Sequence, residues 1–215
     1  MIGIGTITCG LRPLHPLLAP PGAVTMTFTD VGRRGVAYSR NEVLRQLYLE
    51  GCDYFFLFDD DCYPVMPGWA EYFIAQSQEH NLDFLGLPEI FKSRLLATDR
   101  EMNLWDSAVG CFSFQTRAMI DRVGYYNEAY TRYGYEDGGR NDRVRRALHG
   151  ANVRTGFPSP IRASSYIHSQ DVYGESPRPN MSPEEKAVCI MTNRPVWLAE
   201  LNSPTLYYPY PREAA

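Results

Sequence analysis

The chain has 215 residues, 44% of them hydrophobic and 13% aromatic, which is ample for the core of one domain with a short appendage. A formal net charge of −4 and an isoelectric point near 5.6 argue against non-specific attachment of the whole protein to nucleic acid or a membrane surface. No stretch approaches the roughly 18 apolar residues of a membrane span.

Ile2 to Thr8 is a β-rich run and the expected first strand. The segment that follows carries Pro13, Pro16, Pro20 and Pro21, too many for a helix. Ala23 to Phe28 reads as a second strand ending in Thr29-Asp30, with a turn over residues 32–35. Tyr38 to Glu50 has an apolar stripe of Val43, Leu44, Leu47 and Tyr48 and predicts a helix, Ser39 its N-cap and Gly51 its stop. A third strand comes next, then a helix from Trp69 to His80 opened by Pro67-Gly68, and a buried strand from Asp83 to Leu87. Pro88 to Met102 reads as an irregular, mobile loop. Ala108 to Phe114 is an expected strand, and Thr116 caps a short helix to Val123. An aromatic-rich connection leads to Gly134-Tyr135-Glu136-Asp137 and a helix from Gly139 to His149, stopped by Gly150. Short strands are expected over 152–155 and Ile161 to His168, a final helix from Pro183 to Thr192, and a surface-wrapping tail from Pro195. Strands alternating with helices at this spacing predict an α/β fold with a mostly parallel sheet.

Five cysteines, odd in number and without a Cys-x-x-Cys pair, read as buried thiols in a reducing compartment. No basic region or long apolar stretch precedes Ile2, so no signal peptide is expected, and the location expected is cytoplasmic.

The chain's organising stretch is Asp53 to Pro64, in which the apolar run Tyr54–Phe58 meets Asp59-Asp60-Asp61 directly. The run reads as a strand buried on both faces. Carboxylates at the edge of a core are costly unless a positive group meets them. The first basic residues on either side are Arg45 and, far downstream, Lys92, so a divalent cation is the expected partner. Alternate side chains of an extended chain share a face, which directs Asp59 and Asp61 to one ion. Hard oxygen ligands suit Mn²⁺ or Mg²⁺. The plainer reading is an acidic, solvated turn ending at Pro64. In parallel sheets ligands bind beyond the carboxyl ends of the strands, where Asp30 and the Asp59–Asp61 cluster fall.

Two blocks of sequence carry a resemblance. The first is Gly35-Val36-Ala37-Tyr38-Ser39-Arg40-Asn41, then Phe56-Leu57-Phe58-Asp59-Asp60-Asp61 and Pro67-Gly68-Trp69. The second is Val109-Gly110-Cys111-Phe112-Ser113-Phe114, then Arg117, Val123-Gly124, Glu128, Tyr133-Gly134-Tyr135-Glu136-Asp137 and Arg143. Together they resemble the GT-A-fold, nucleotide-sugar-dependent glycosyltransferases, family-2-like members of small bacterial or phage type. The resemblance implies a Rossmann-like, mostly parallel sheet flanked by helices. It implies a glycosyltransferase domain over 1–170, its nucleotide half over 1–64 and its acceptor half over 65–170, with a C-terminal helix and tail over 171–215.

The resemblance also implies roles. Asp59 and Asp61 are similar to the Asp-x-Asp motif that holds Mn²⁺ or Mg²⁺ on the donor diphosphate, and His168 resembles a late histidine that completes the coordination in some members. Asp30, Arg40, Asn41 and Asp60 sit where the family contacts the donor, Asp30 at its nucleoside base or ribose. Asp137 is similar to the catalytic base of inverting members, and Glu136, with Trp105 stacking on a ring, would bind the acceptor. For each a plainer reading exists: His168 as a structural histidine, Arg40-Asn41 as an ordinary first helical turn, Glu136-Asp137 as acids favouring a helix start, Trp105 as core packing. Gly-Tyr-Tyr-Asn-Glu over 124–128 replaces the family's Gly-Gly-Phe-Asp-Glu, and Gly139 stands where an acid is common. Arg140, Arg143, Arg145 and Arg146 read as a solvated helix face, or as a face for an anionic acceptor such as DNA.

The activity implied is transfer of a sugar from a nucleoside-diphosphate sugar to an acceptor hydroxyl, of a saccharide or a modified DNA base, with inversion. Two other readings stand beside it. One is a sugar- or Ca²⁺-binding module of the same fold without turnover. The other is a haloacid-dehalogenase-like phosphatase, disfavoured by Tyr63 at a position where that motif wants Thr or Val.

Overall fold

The computed structural model describes residues 1–88, 92–149, 156–175 and 181–211. Its centre is a five-stranded sheet in the order β2 (Val24–Thr29), β1 (Ile2–Thr8), β3 (Tyr54–Asp59), β8 (Phe112–Thr116), β5 (Phe84–Gly86). β1 runs parallel to β2 and β3, while β8 is antiparallel to both β3 and β5. The sheet is mainly parallel and the fold is α/β, as the alternation of elements predicts.

Side-chain alternation divides the core. Ile4, Phe56, Phe58, Phe112 and Phe114 face α2 (Trp69–His80), where Trp69 and Phe73 are fully buried. Phe55 and Leu57 face α1 (Val36–Leu49) through Val43, Leu44 and Leu47. On this face β1 carries Gly3 and Gly5; a Cβ on Gly5 would collide with Val43, so the glycines let α1 sit close on the strand. Phe84 packs on the same face with α3 (Arg117–Val123) and Val144 of α4 (Glu136–His149). Thr116 accepts a bond from the Met119 backbone N–H, the expected cap of α3.

Two small sheets complete the fold. β4 (Cys62–Pro64) pairs with β10 (Ile167–Ser169), and β7 (Met102–Trp105) lies between β6 (Leu95–Asp99) and β9 (Phe157–Pro160). The segment read as a mobile loop therefore contains a strand. β6 is exposed at every residue, so it lacks the half-buried alternation that reveals strands in a sequence.

Other boundaries move. α1 starts at Val36, not Tyr38, and Ser39 donates its hydroxyl to the Gly35 carbonyl (2.8 Å) instead of capping. The strand expected over Ala108–Phe114 is displaced to Phe112–Thr116. α4 begins at Glu136, so both acids occupy its first turn. The run expected as one strand over Ile161–His168 holds the short helix α5 (Ala163–Tyr166) before β10. The strand expected over 152–155 and the stop at Gly150 lie outside the described residues.

The last helix, α6, runs from Pro183 to Leu201 straight through Pro195, which was read as the start of the tail. Proline removes one hydrogen bond, here to the carbonyl of Met191, a residue 67% exposed and open to water. Buried Asn193 and Glu200 on either side hold the helix down. The tail beyond turns back: the Tyr208 backbone N–H donates to Val123 (3.2 Å) and its carbonyl accepts from Tyr125 (2.9 Å). Gly124, at φ +66°, faces Tyr208 so closely that any side chain there would strike it.

Candidate functional site

The parallel strands β1, β2 and β3 end together, and one pocket opens at that edge. It is lined by Thr8 at the end of β1 and Arg12 beyond it, Asp30 and Arg33 after β2, and Asp59, Asp60 and Asp61 at the end of β3. The opposite wall is Arg132, Tyr133, Asp171, Met181 and Lys186. Gly35 makes that wall possible: its φ is +121°, and a Cβ would lie 2.7 Å from the backbone of Arg132. Val36 N–H donates to the Arg132 carbonyl (3.0 Å), fixing the start of α1 against the 132–133 turn.

Asp30 is buried and accepts the Gly35 N–H at 2.7 Å. Asp60 is buried beneath Thr8, whose hydroxyl donates to it at 2.7 Å. Asp59 accepts from Nη2 of Arg40 (2.7 Å), and Asp61 from Nη1 of Arg12 (2.7 Å); the same Nη1 lies 3.4 Å from Asp60. The acids at the strand end are therefore met by arginines from β1's connection and from α1, although none is near in sequence. Sequence distance points to a divalent cation as the acids' partner; in space Arg12 and Arg40 meet them as well.

Arg12 does not hold Asp61 in the ordinary carboxylate range. Burial, then the neighbouring Asp59 and Asp171, push the Asp61 carboxyl up to about 7, with Arg12 opposing. A raised folded-state value means stability present below the unfolded value of 3.8 and lost as pH rises through about 7. The protein is expected to melt at a lower temperature on the alkaline side of about pH 7 than on the acid side, and Asp61→Asn to flatten that slope. An equal slope in both proteins, read by calorimetry, would remove Asp61 as its source.

The second acid pair is joined to the first through Arg40. That guanidinium is buried and bonds Asp59, Asp137, the Gly110 carbonyl (2.6 Å) and the Tyr126 hydroxyl (3.3 Å). Asp137 therefore lies one side chain away from Asp59, and a Cβ on Gly110 would strike its carboxylate. Glu136 is buried beside them, its carboxyl pushed up chiefly by burial.

Other candidates lie elsewhere. The amide of Asn41 is engaged with the Tyr126 backbone and Glu128, so it shapes that loop and does not line the pocket. His168 is turned to Glu175 (2.9 Å) and stacked on Tyr173, outside the pocket lining. Trp105 sits on β7 beside β6 and β9, also outside the lining. The expected solvated arginine face of α4 is not one: Arg140 and Arg143 are fully buried, and Arg145 and Arg146 pair with Asp142. Arg140 and Arg143 therefore present no charge to solvent, and the surface part of the cluster is reduced to Arg145 and Arg146. The five cysteines are free; Cys52, Cys62 and Cys189 are buried, Cys9 and Cys111 partly so.

Among the described residues no group of three His, Cys, Asp or Glu side chains is gathered as a metal-holding set. The donor chemistry of the pocket nonetheless suits a hard divalent cation, since Asp59, Asp61 and Asp171 all bring carboxylate oxygens to its lining. Arg12, Asp171, Arg33, Arg132 and Lys186 are site residues that the sequence reading missed. The rule that ligands gather beyond the carboxyl ends of parallel strands would have flagged Arg12 and Arg33; nothing local marks Arg132, Asp171 or Lys186.

Fold and site together define an α/β protein with a mixed-charge pocket at the carboxyl edge of a mainly parallel sheet. No family model and no curated protein matches the chain. Among solved structures it is similar to one described as the crystal structure of A197 from STIV, at 13% sequence identity and a TM-score of 0.47, over 74% of this chain and 81% of that one. No described helix is long and apolar enough to cross a membrane.

Proposed function

We propose that the protein is a metal-dependent glycosyltransferase of the GT-A type, moving a sugar from a nucleoside-diphosphate donor to an acceptor hydroxyl with inversion. The observation that carries this reading is the juxtaposition of Asp30, Asp60 and Asp61 in one strand-edge pocket with Asp59 and Asp137 on the same arginine. Such a reaction needs charge stabilisation at the departing diphosphate and a proton acceptor near the incoming hydroxyl.

Asp30 stands at the nucleoside end, and Arg33, Arg132 and Lys186 offer positive charge to phosphate oxygens across the pocket. Asp59 and Asp61 would hold a Mn²⁺ or Mg²⁺ ion, which when bound supplies Lewis acidity to the leaving group. Asp137 accepts the acceptor's proton, and Arg40 keeps it in register with the donor end. His168 would join these ligands only after moving, since it lies outside the pocket lining with its Nε2 on Glu175.

The test is a thermal-shift panel of nucleoside diphosphates and their sugars, with Mn²⁺ and without. A ligand at about 100 times its dissociation constant adds about 2.7 kcal/mol, or about 5–11 °C for a chain of this size. One base should stand out, and only with the metal. A flat panel at millimolar ligand would favour a binding module without nucleotide chemistry.

A further inference from the structure

We propose that Arg12 is a built-in counter-cation that stands where the divalent ion would bind at Asp61, so that metal entry requires the two to exchange. The inference rests on the reading of Asp59 and Asp61 as cation ligands and adds to it a control of the same site.

Arg12 lies in the segment between β1 and β2, which has no helix or strand to hold it. Its guanidinium meets three carboxylates from separate parts of the chain: Asp61 at 2.7 Å, Asp60 at 3.4 Å and Asp171 at 3.6 Å. The side chain is 6% exposed, so the contact is a filled position in the pocket rather than a surface pairing.

The two arginines of the site differ in how they are held. Arg40 comes from a helix and is clamped by Asp59, Asp137 and the Gly110 carbonyl together, so it is a fixed part of the frame. Arg12 hangs from a connection anchored away from it: Gly10 N–H bonds Thr8 (2.9 Å) before it, and beyond it His15 stacks on Tyr63 and the Leu18 carbonyl accepts from Trp69 (3.0 Å). Its long side chain can leave by rotation about its own bonds while those anchors stay. It then remains at the pocket, where a phosphate oxygen is its natural new partner. Metal and phosphate binding are thereby coupled: each is favoured once the other has arrived, because phosphate gives Arg12 somewhere to go.

The test is calorimetric titration of Mn²⁺, with no nucleotide present, into wild type, Arg12→Gln, Arg12→Lys and Asp61→Ala. Arg12→Gln is expected to bind Mn²⁺ about tenfold or more tightly than wild type, Arg12→Lys to fall between, and Asp61→Ala to lose the site. Equal or weaker binding in Arg12→Gln, with wild type still binding, overturns the exchange and leaves the cation reading standing. No Mn²⁺ binding in wild type or either Arg12 variant sinks both. Should Arg12→Gln fail to fold, Arg12→Lys decides alone, since its compact ammonium cannot hold three carboxylates as the guanidinium does.

Discussion

Asp137→Asn is expected to slow glycosyl transfer by about 10²–10⁴-fold, the usual contribution of a general base, while nucleotide affinity stays within about threefold. Asparagine keeps the shape of the side chain and an oxygen for Arg40 Nη1, so the frame joining Asp137 to Asp59 survives. What it removes is the capacity to take the acceptor's proton. Were Asp137 only an acid favouring the first turn of α4, asparagine would serve nearly as well at a helix start and the rate would barely change. Product stereochemistry is an independent measurement: NMR of the first-formed glycoside should give the anomeric configuration opposite to the donor's. Retention, or a near-normal rate in the variant, would remove Asp137 from the mechanism.

Glu200→Ala is expected to cost about 3–5 kcal/mol, the usual loss when one partner of a buried ion pair is deleted. Glu200 accepts from Arg143 Nε at 2.6 Å, and their side chains are 2% and 0% exposed. It also accepts the Tyr130 hydroxyl at 2.7 Å, whose proton is held well above the ordinary range by burial and by this bond. Arg143 goes on to bond the carbonyls of Val123, Tyr125 and Leu206, so one guanidinium joins α3, α4 and the tail. Without Glu200 its charge stays buried and unbalanced. The melting temperature should fall by about 6–20 °C for a chain of this size. A fall of only a degree or two would mean that the backbone carbonyls suffice to hold Arg143.

The parts of the fold legible in the sequence were those with a period or a buried run. The apolar stretch Tyr54–Phe58 forms the central strand, and the stripe of Val43, Leu44 and Leu47 forms α1. Exposed β6 and the helix passing through Pro195 were not legible, because tertiary pairing and the anchors Asn193 and Glu200 override local propensity there. The site was half visible. Clustered acids betray themselves in a sequence, but their counter-ions Arg12 and Arg40 are brought in by the fold from other segments. For Arg143 the reason differs: a charged residue on a helix defaults to solvent, and the partners that balance its burial, Glu200 and the carbonyls of Val123, Tyr125 and Leu206, come from distant segments.

The pocket's far wall has a consequence for how the protein is made. Asn193 of α6, wholly buried, bonds the backbone of Thr131, Tyr133 and Gly134, the turn that leads into Asp137. Lys186 of the same helix lines the pocket itself. A chain emerging from the ribosome can pair β1, β2 and β3 early, yet the turn beside Asp137 gains its clamp only after residues 181–201 have been translated. The strands thus precede the site in time, and a nascent chain stalled before α6 would lack both the clamp on this turn and the Glu200 partner of Arg143.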